Sequence, residues 1–207
     1  MRKILIVDDH PAIRMAIRIL FQQDDHHIIA EVDNGVDAVL VARTNTHDIV
    51  ILDIVIPRLD GIEVIKRIKE IDPEIKIIIF SAQATHHTIV RCLQAGANGF
   101  ISKTDDLSLL KSALIKIKKG QLHFPQEVIH GARNAHAVDK KDLLSALSNR
   151  EMSVLMKICQ GHTNKQIAES MLLSEKTVST YKTRLMQKLN VTNMVDLISL
   201  AKRQELL

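Results

Sequence analysis

The first 122 residues repeat one rhythm, a short apolar run followed by an amphipathic stretch, and that rhythm constrains the fold more than any other feature. The runs are KILIV (3–7), HIIAEV (27–32), DIVILD (48–53), IKIIIF (75–80) and NGFIS (98–102). Helical patterns lie between them: 11–22 opening with Pro11, 35–44 after the Asn34-Gly35 turn, 61–71, 86–95 closed by Gly96, and 106–119 closed by Gly120. Such alternation predicts βαβ units with right-handed crossovers that wind helices onto both faces of a parallel sheet. The expected class is α/β, a doubly wound five-stranded parallel sheet.

A chain of 207 residues with a hydrophobic fraction of 46% is long enough for two domains. The rhythm stops near Gly120, and the stretch to Leu144 gathers Gly, Pro, His, Asn and Lys, which reads as a linker with room for a short helix. From Leu147 every segment is helical in pattern. Ser148 with Glu151 three positions on forms a capping box for a helix to about Gln160. A second helix spans about Asn164 to Met171, a third Glu175 to Leu189 behind the cap Ser174, and a fourth Asn193 to Gln204 behind the cap Thr192. The second and third are joined by the three-residue turn LLS, which is helix-turn-helix spacing. The expected domains are 1–122, a linker 123–144, and a small all-α four-helix domain 145–207.

Charge separates these parts. Residues 1–122 carry 16 Lys+Arg and 16 Asp+Glu, 123–144 carry 3 and 3, and 145–207 carry 9 and 5, so the whole net charge of +4 lies in the last domain. A basic excess there suggests a polyanion partner. No run of about 18 uncharged apolar residues and no signal peptide are present, so a cytoplasmic protein without membrane contact is expected. The two cysteines, Cys92 and Cys159, stand alone in helical segments as core thiols.

The first strand runs directly into two carboxylates, ILIVDDH, and adjacent carboxylates call for a positive group nearby. Ligands of an open parallel sheet bind at the carboxyl ends of its strands. With strand order 2-1-3-4-5, Asp8 and Asp9 after the first strand, Asp53 at the end of the third, Ser81 after the fourth and Lys103 after the fifth converge on one crevice. Three carboxylates there suit Mg²⁺, which takes hard oxygen ligands and keeps several waters. Each residue also has a plainer role, as helix cap, strand end or surface lysine. The coincidence of all five at one edge selects the site.

On the third helix of the last domain, Val178, Leu185 and Leu189 share one face while Lys176, Thr180, Thr183 and Gln187 line the other. That hydroxyl-rich stripe is able to meet base edges or phosphates. Only five aromatic residues occur, too few for a single-strand stacking platform, so duplex DNA is the better partner. Asn164, Lys165 and Gln166 open the second helix, either to meet a phosphate or simply to start it.

ILIVDDH, ILDIVIPRLDGIEV, IIIFSA and GANGFISK together resemble the receiver domain of two-component response regulators, over residues 1 to about 122. The resemblance implies Asp53 as phosphoacceptor, Asp9 as a direct Mg²⁺ ligand, Asp8 as a carboxylate acting through metal-bound water, and the carbonyl of Val55 as another ligand. It implies that Lys103 contacts the phosphoryl oxygens, that Ser81 supplies the hydroxyl that moves toward them, and that Phe100 is the aromatic switch that then turns inward. One departure is Thr104 where receivers carry Pro, often through a cis peptide; a cis bond to Thr would cost ~3 kcal/mol.

LSNREMSVL, GHTNKQIAESM and LSEKTVSTYKTRLMQKL resemble the LuxR-type helix-turn-helix of the NarL/FixJ response regulators, and the whole chain is most similar to the BvgA/EvgA subgroup. By position Ser179, Thr180 and Thr183 are then the base-edge residues, and Lys165, Lys176, Thr177, Tyr181, Lys182, Arg184 and Lys188 serve phosphates. The last helix is apolar on more than one face. One stripe packs inward, and the other, with Val195 and Ile198, invites a partner copy.

The expected function is a DNA-binding transcriptional response regulator, switched by a sensor histidine kinase that phosphorylates Asp53. It would act as a homodimer on DNA half-sites, with RNA polymerase as a further partner. It is no enzyme beyond its own phosphotransfer and dephosphorylation. The rivals are a phosphorylation-independent DNA- or protein-binding regulator whose receiver is a dimer scaffold, and a Mg²⁺-dependent phosphohydrolase. The second rival lacks a general acid two residues after Asp53, where Val55 stands.

Overall fold

Strand β1 (Arg2–Val7) lies inside the sheet and α1 (Pro11–Gln22) follows it, the first of five strand–helix repeats in the computed structural model. The structure describes residues 2–22, 26–129, 147–171 and 173–203. The repeats continue as β2 (His26–Val32), α2 (Gly35–Thr44), β3 (Ile49–Leu52), α3 (Gly61–Ile71), β4 (Lys76–Ser81), α4 (His86–Gln94), β5 (Gly99–Ser102) and α5 (Leu109–Lys118). All four strand pairings are parallel, in the order β2-β1-β3-β4-β5. This is the order expected from the sequence.

Side chains of successive strand residues point to opposite faces, and both faces are covered. Ile4, Ile6, Ile49, Ile51, Ile78 and Phe80 pack with Ile17 and Phe21 of α1 and Leu110, Leu114 and Ile117 of α5. Leu5, Val7, Val50, Leu52, Ile77 and Ile79 pack with residues of α2, α3 and α4 on the other side. The strands therefore read as unbroken apolar runs rather than alternating ones.

One helix start and one boundary differ from expectation. The segment from 106 is not yet helix: Asp106 accepts the Ser108 N–H at 2.8 Å in a turn, and α5 begins at Leu109. The expected linker also begins too early at 123. His123 pairs with Gly99 beyond the edge of β5, Phe100 N–H donates to the His123 carbonyl at 2.8 Å, and Phe124 and Val128 are buried in the core. Residues 123–129 thus belong to the packing of the first unit, ending in a helical turn at 126–129. The rest of the expected linker, 130–144, lies outside the described residues.

The chain divides into two compact units, Met1–Val138 and Asp139–Leu207. The second holds α6 (Asn149–Cys159), α7 (Asn164–Ser170), α8 (Glu175–Lys188) and α9 (Met194–Arg203). Capping boxes open α6 (Ser148 with Glu151) and α7 (Thr163 with Gln166), and Ser174 caps α8. The cap of α9 is Asn193 rather than Thr192: its Oδ1 accepts the Asp196 N–H at 2.9 Å. Met152, Leu155, Ile167, Val178, Leu185, Leu189, Leu197 and Ala201 form the core of this unit. No helix among the described residues is long and apolar enough to cross a membrane.

Candidate functional site: an acidic crevice and an exposed helix

The loop that ends in α3 is drawn tightly under β3, because Gly61 donates to the Ile54 carbonyl at 3.2 Å and a Cβ at Gly61 would stand 2.6 Å from Ile54 Cα. Asp53 sits at the head of that loop and is 4% exposed; Asp8, one strand away, is 1% exposed and Ser81 is fully buried. Lys103 Nζ lies 2.6 Å from Asp53 Oδ2 and 2.8 Å from Asp8 Oδ2, bridging the two carboxylates. Ser81 Oγ donates to Asp53 Oδ1 at 2.6 Å, and the Val55 N–H reaches the same oxygen at 3.2 Å. All five residues expected at the carboxyl edge are therefore gathered there.

Burial pushes the Asp8 carboxyl above the usual carboxylate range, and the like charge of Asp53 adds to this against the opposing pull of Lys103. Burial alone would lower the Lys103 ammonium, but Asp53 and Asp8 outweigh it and hold Lys103 above its ordinary value. The ammonium thus keeps its charge through the two carboxylates it bridges.

Asp8, Asp9, His10 and Asp53 each offer an atom within 4.8 Å of the others. Asp9 Oδ1 is shielded from solvent and has no hydrogen-bond partner among the described residues; His10 Nδ1 is 2.8 Å away but not in bonding geometry. Three carboxylates against one ammonium leave two negative charges uncompensated. An orphaned carboxylate oxygen and this charge deficit fit one divalent cation, and the oxygen donors suit a hard one.

His10 was legible only as the residue after the acidic pair. Its N–H donates to Asp8 Oδ1 at 2.9 Å, fixing that carboxylate. Arg14, one turn into α1, donates to the Asp8 carbonyl at 2.6 Å. Phe100 is already buried, at 6% exposure, in the core facing α3 and α4. No cis peptide occurs among the described residues, so the Lys103–Thr104 bond is trans.

In the second unit Val178, Leu185 and Leu189 are buried and Lys176, Ser179, Thr180, Thr183 and Arg184 are exposed on α8. Lys165 is exposed at the start of α7, while Thr177, Tyr181 and Lys182 are half-buried. Thr177 Oγ1 is engaged with the cap, 2.9 Å from Ser174 Oγ. Lys188, expected to serve phosphates, is also exposed, and its Nζ donates to Glu151 Oε2 at 2.7 Å, tying α8 to α6. The pair expected on α9 is split. Val195 is 73% exposed, whereas Ile198 packs against the unit's own core.

Residues 4–115 match the family described as the response regulator receiver domain, and residues 145–201 match the bacterial regulatory proteins of the luxR family. The chain belongs to the response regulators that join a receiver domain to a LuxR-type DNA-binding domain. Over 205 residues it is 44% identical to BvgA of Bordetella pertussis, covering 99% of this chain and 98% of that one. It is 39% identical over 202 residues to the DNA-binding transcriptional activator EvgA of Escherichia coli, covering 98% of each. Among solved structures it resembles the RcsB response regulator of Salmonella typhimurium, with a TM-score of 0.63 at 25% identity over 98% of this chain and 97% of that one. RcsB bound to promoter rprA in the presence of a phosphomimetic gives a TM-score of 0.59 at 25% identity over 96% of each chain.

Proposed function

We propose that this transcriptional regulator works in the cytosol, takes a phosphoryl group on Asp53 from a sensor histidine kinase, and binds duplex promoter DNA as a homodimer through α8. A carboxylate oxygen of Asp53 attacks phosphorus, and the donor's P–N bond breaks with its electron pair returning to the imidazole. Asp8, Asp9, Asp53 and the Val55 carbonyl would hold Mg²⁺, which supplies charge neutralisation for the transferring oxygens when bound. Lys103 contributes a second positive charge from its place between Asp8 and Asp53. Ser81, already hydrogen-bonded to Asp53, is placed to follow the new acceptor oxygens, and Phe100 is already buried. Two recognition helices would meet half-sites about ten base pairs apart, with RNA polymerase as the downstream partner.

The observation that supports this reading best is the convergence of Lys103 and Ser81 on the two oxygens of Asp53, both at 2.6 Å. Two residues after the nucleophile Asp53 stands Val55, which cannot serve as a general acid, so steady turnover of external phosphomonoesters is not expected. The test is treatment of the full chain with acetyl phosphate and Mg²⁺. Intact mass should rise by one phosphoryl group and promoter affinity should increase; Asp53→Asn should show neither. Equal affinity with and without the donor would leave DNA binding standing and remove the switch.

A further inference from the structure

We infer that α8 reads thymine methyl groups, through the side-chain methyls of Thr180 and Thr183 rather than through their hydroxyls. The inference rests on the proposed entry of α8 into the major groove and adds the base chemistry that it recognises. Thr180 and Thr183 are both exposed, and residues three apart are neighbours on one helix face. Each hydroxyl is turned back onto the helix: Thr180 Oγ1 donates to the Lys176 carbonyl at 3.0 Å and Thr183 Oγ1 to the Ser179 carbonyl at 3.2 Å.

A hydroxyl has one O–H to give. With it spent on the backbone, neither threonine has a donor for the N7 and O6 acceptors of guanine, the N7 of adenine or the O4 of thymine. The same bond selects one of the two side-chain rotamers that threonine adopts in a helix. The methyl is thereby fixed in a staggered position away from that carbonyl. Ser179 differs, because its Oγ accepts from Asn164 Nδ2 at 3.3 Å and its own O–H is not committed. None of these three positions carries the Arg, Lys, Asn or Gln needed for a bidentate purine contact. Each Oγ1 keeps lone pairs that only the amino groups of adenine and cytosine could meet, whereas thymine alone presents a methyl in the major groove, so a methyl-bearing surface with spent donors favours apolar contact with it.

The test starts with the phosphodonor-treated full chain and a random duplex library, followed by replacement of each thymine of the enriched site with deoxyuridine. Two thymines per half-site should be sensitive, each lost methyl weakening binding about fourfold, the transfer value of one such group. Thr180→Ser and Thr183→Ser should each make one of those positions indifferent to the methyl, whereas Thr180→Val and Thr183→Val should keep the sensitivity. An enriched site that tolerates uracil throughout would overturn the inference while leaving DNA recognition intact. So would Val variants that lose binding where Ser variants keep it, since the hydroxyls would then be the readers. Enrichment of no duplex at all would overturn the DNA-binding reading together with the inference.

Discussion

Lys103 shows how one side chain decides the electrostatics of a crevice. Two buried carboxylates face each other here, and the ammonium stands 2.6 Å from Asp53 and 2.8 Å from Asp8, opposing the rise that burial imposes on the Asp8 carboxyl without cancelling it. The five charged and hydroxyl residues were legible because each follows a recognisable strand. His10 and Arg14 were not, since their work on Asp8 depends on the turn into α1. A different buried group sets a pH dependence. His47 is 6% exposed, its Nδ1 faces the Asn45 carbonyl at 2.9 Å and its Nε2 has no partner among the described residues. Burial holds this imidazole below the usual histidine range, against the pull of Asn45, Asp48 and Asp72. A histidine whose folded pKa is depressed stabilises the fold fully above its ordinary value of 6.5, and the contribution is lost as pH falls from there through the folded pKa. Stability of β1 and β3, followed by hydrogen exchange, should therefore fall as pH drops below the ordinary histidine value of 6.5, and less steeply in His47→Asn.

Glu151 carries the corresponding load between elements. It closes the α6 capping box by accepting the Ser148 N–H at 2.8 Å and also accepts from Lys188 of α8 at 2.7 Å. Burial would raise this carboxyl, but the bonds from Lys188 and Ser148 outweigh it and hold it below the usual range. The contribution is thus present above the ordinary glutamate value of 4.5 and lost as pH falls below it. Glu151→Ala should cost the second unit about 2 kcal/mol and Glu151→Gln about half of that, because the amide still caps but no longer pairs as an anion. Tyr181 is the single tyrosine in a chain without tryptophan and packs against this core, so its fluorescence reports the transition. At this scale most of the fold was legible, because periodicity and Ser or Thr caps mark helices directly. What was missed depends on tertiary pairing. Residues 123–129 carry a linker-like composition, yet the open edge of β5 supplies the backbone partner that their sequence does not announce.

Across the whole chain, charge is divided by task. The first 122 residues are balanced at 16 basic and 16 acidic, and the net +4 sits in residues 145–207. Phosphorylation adds roughly 1.5 to 2 negative charges to the balanced part. The electrostatic share of DNA binding should therefore come from the second unit in either phosphorylation state. Sequence position alone assigned Lys188 to the DNA phosphates with Arg184; both are exposed, but Lys188 is paired with Glu151. Each cation that neutralises a phosphate contributes about 0.9 to the slope of log affinity against log salt. Arg184→Ala should lower the magnitude of that slope by about 0.9 per bound module, with no change in unfolding beyond that of a surface substitution. Lys188→Ala should leave the slope as it is and lower the thermal stability reported by Tyr181. Salt titrations of binding for the two variants decide between the assignments, since a slope lost in Lys188→Ala would mean that the pair with Glu151 opens when DNA is bound.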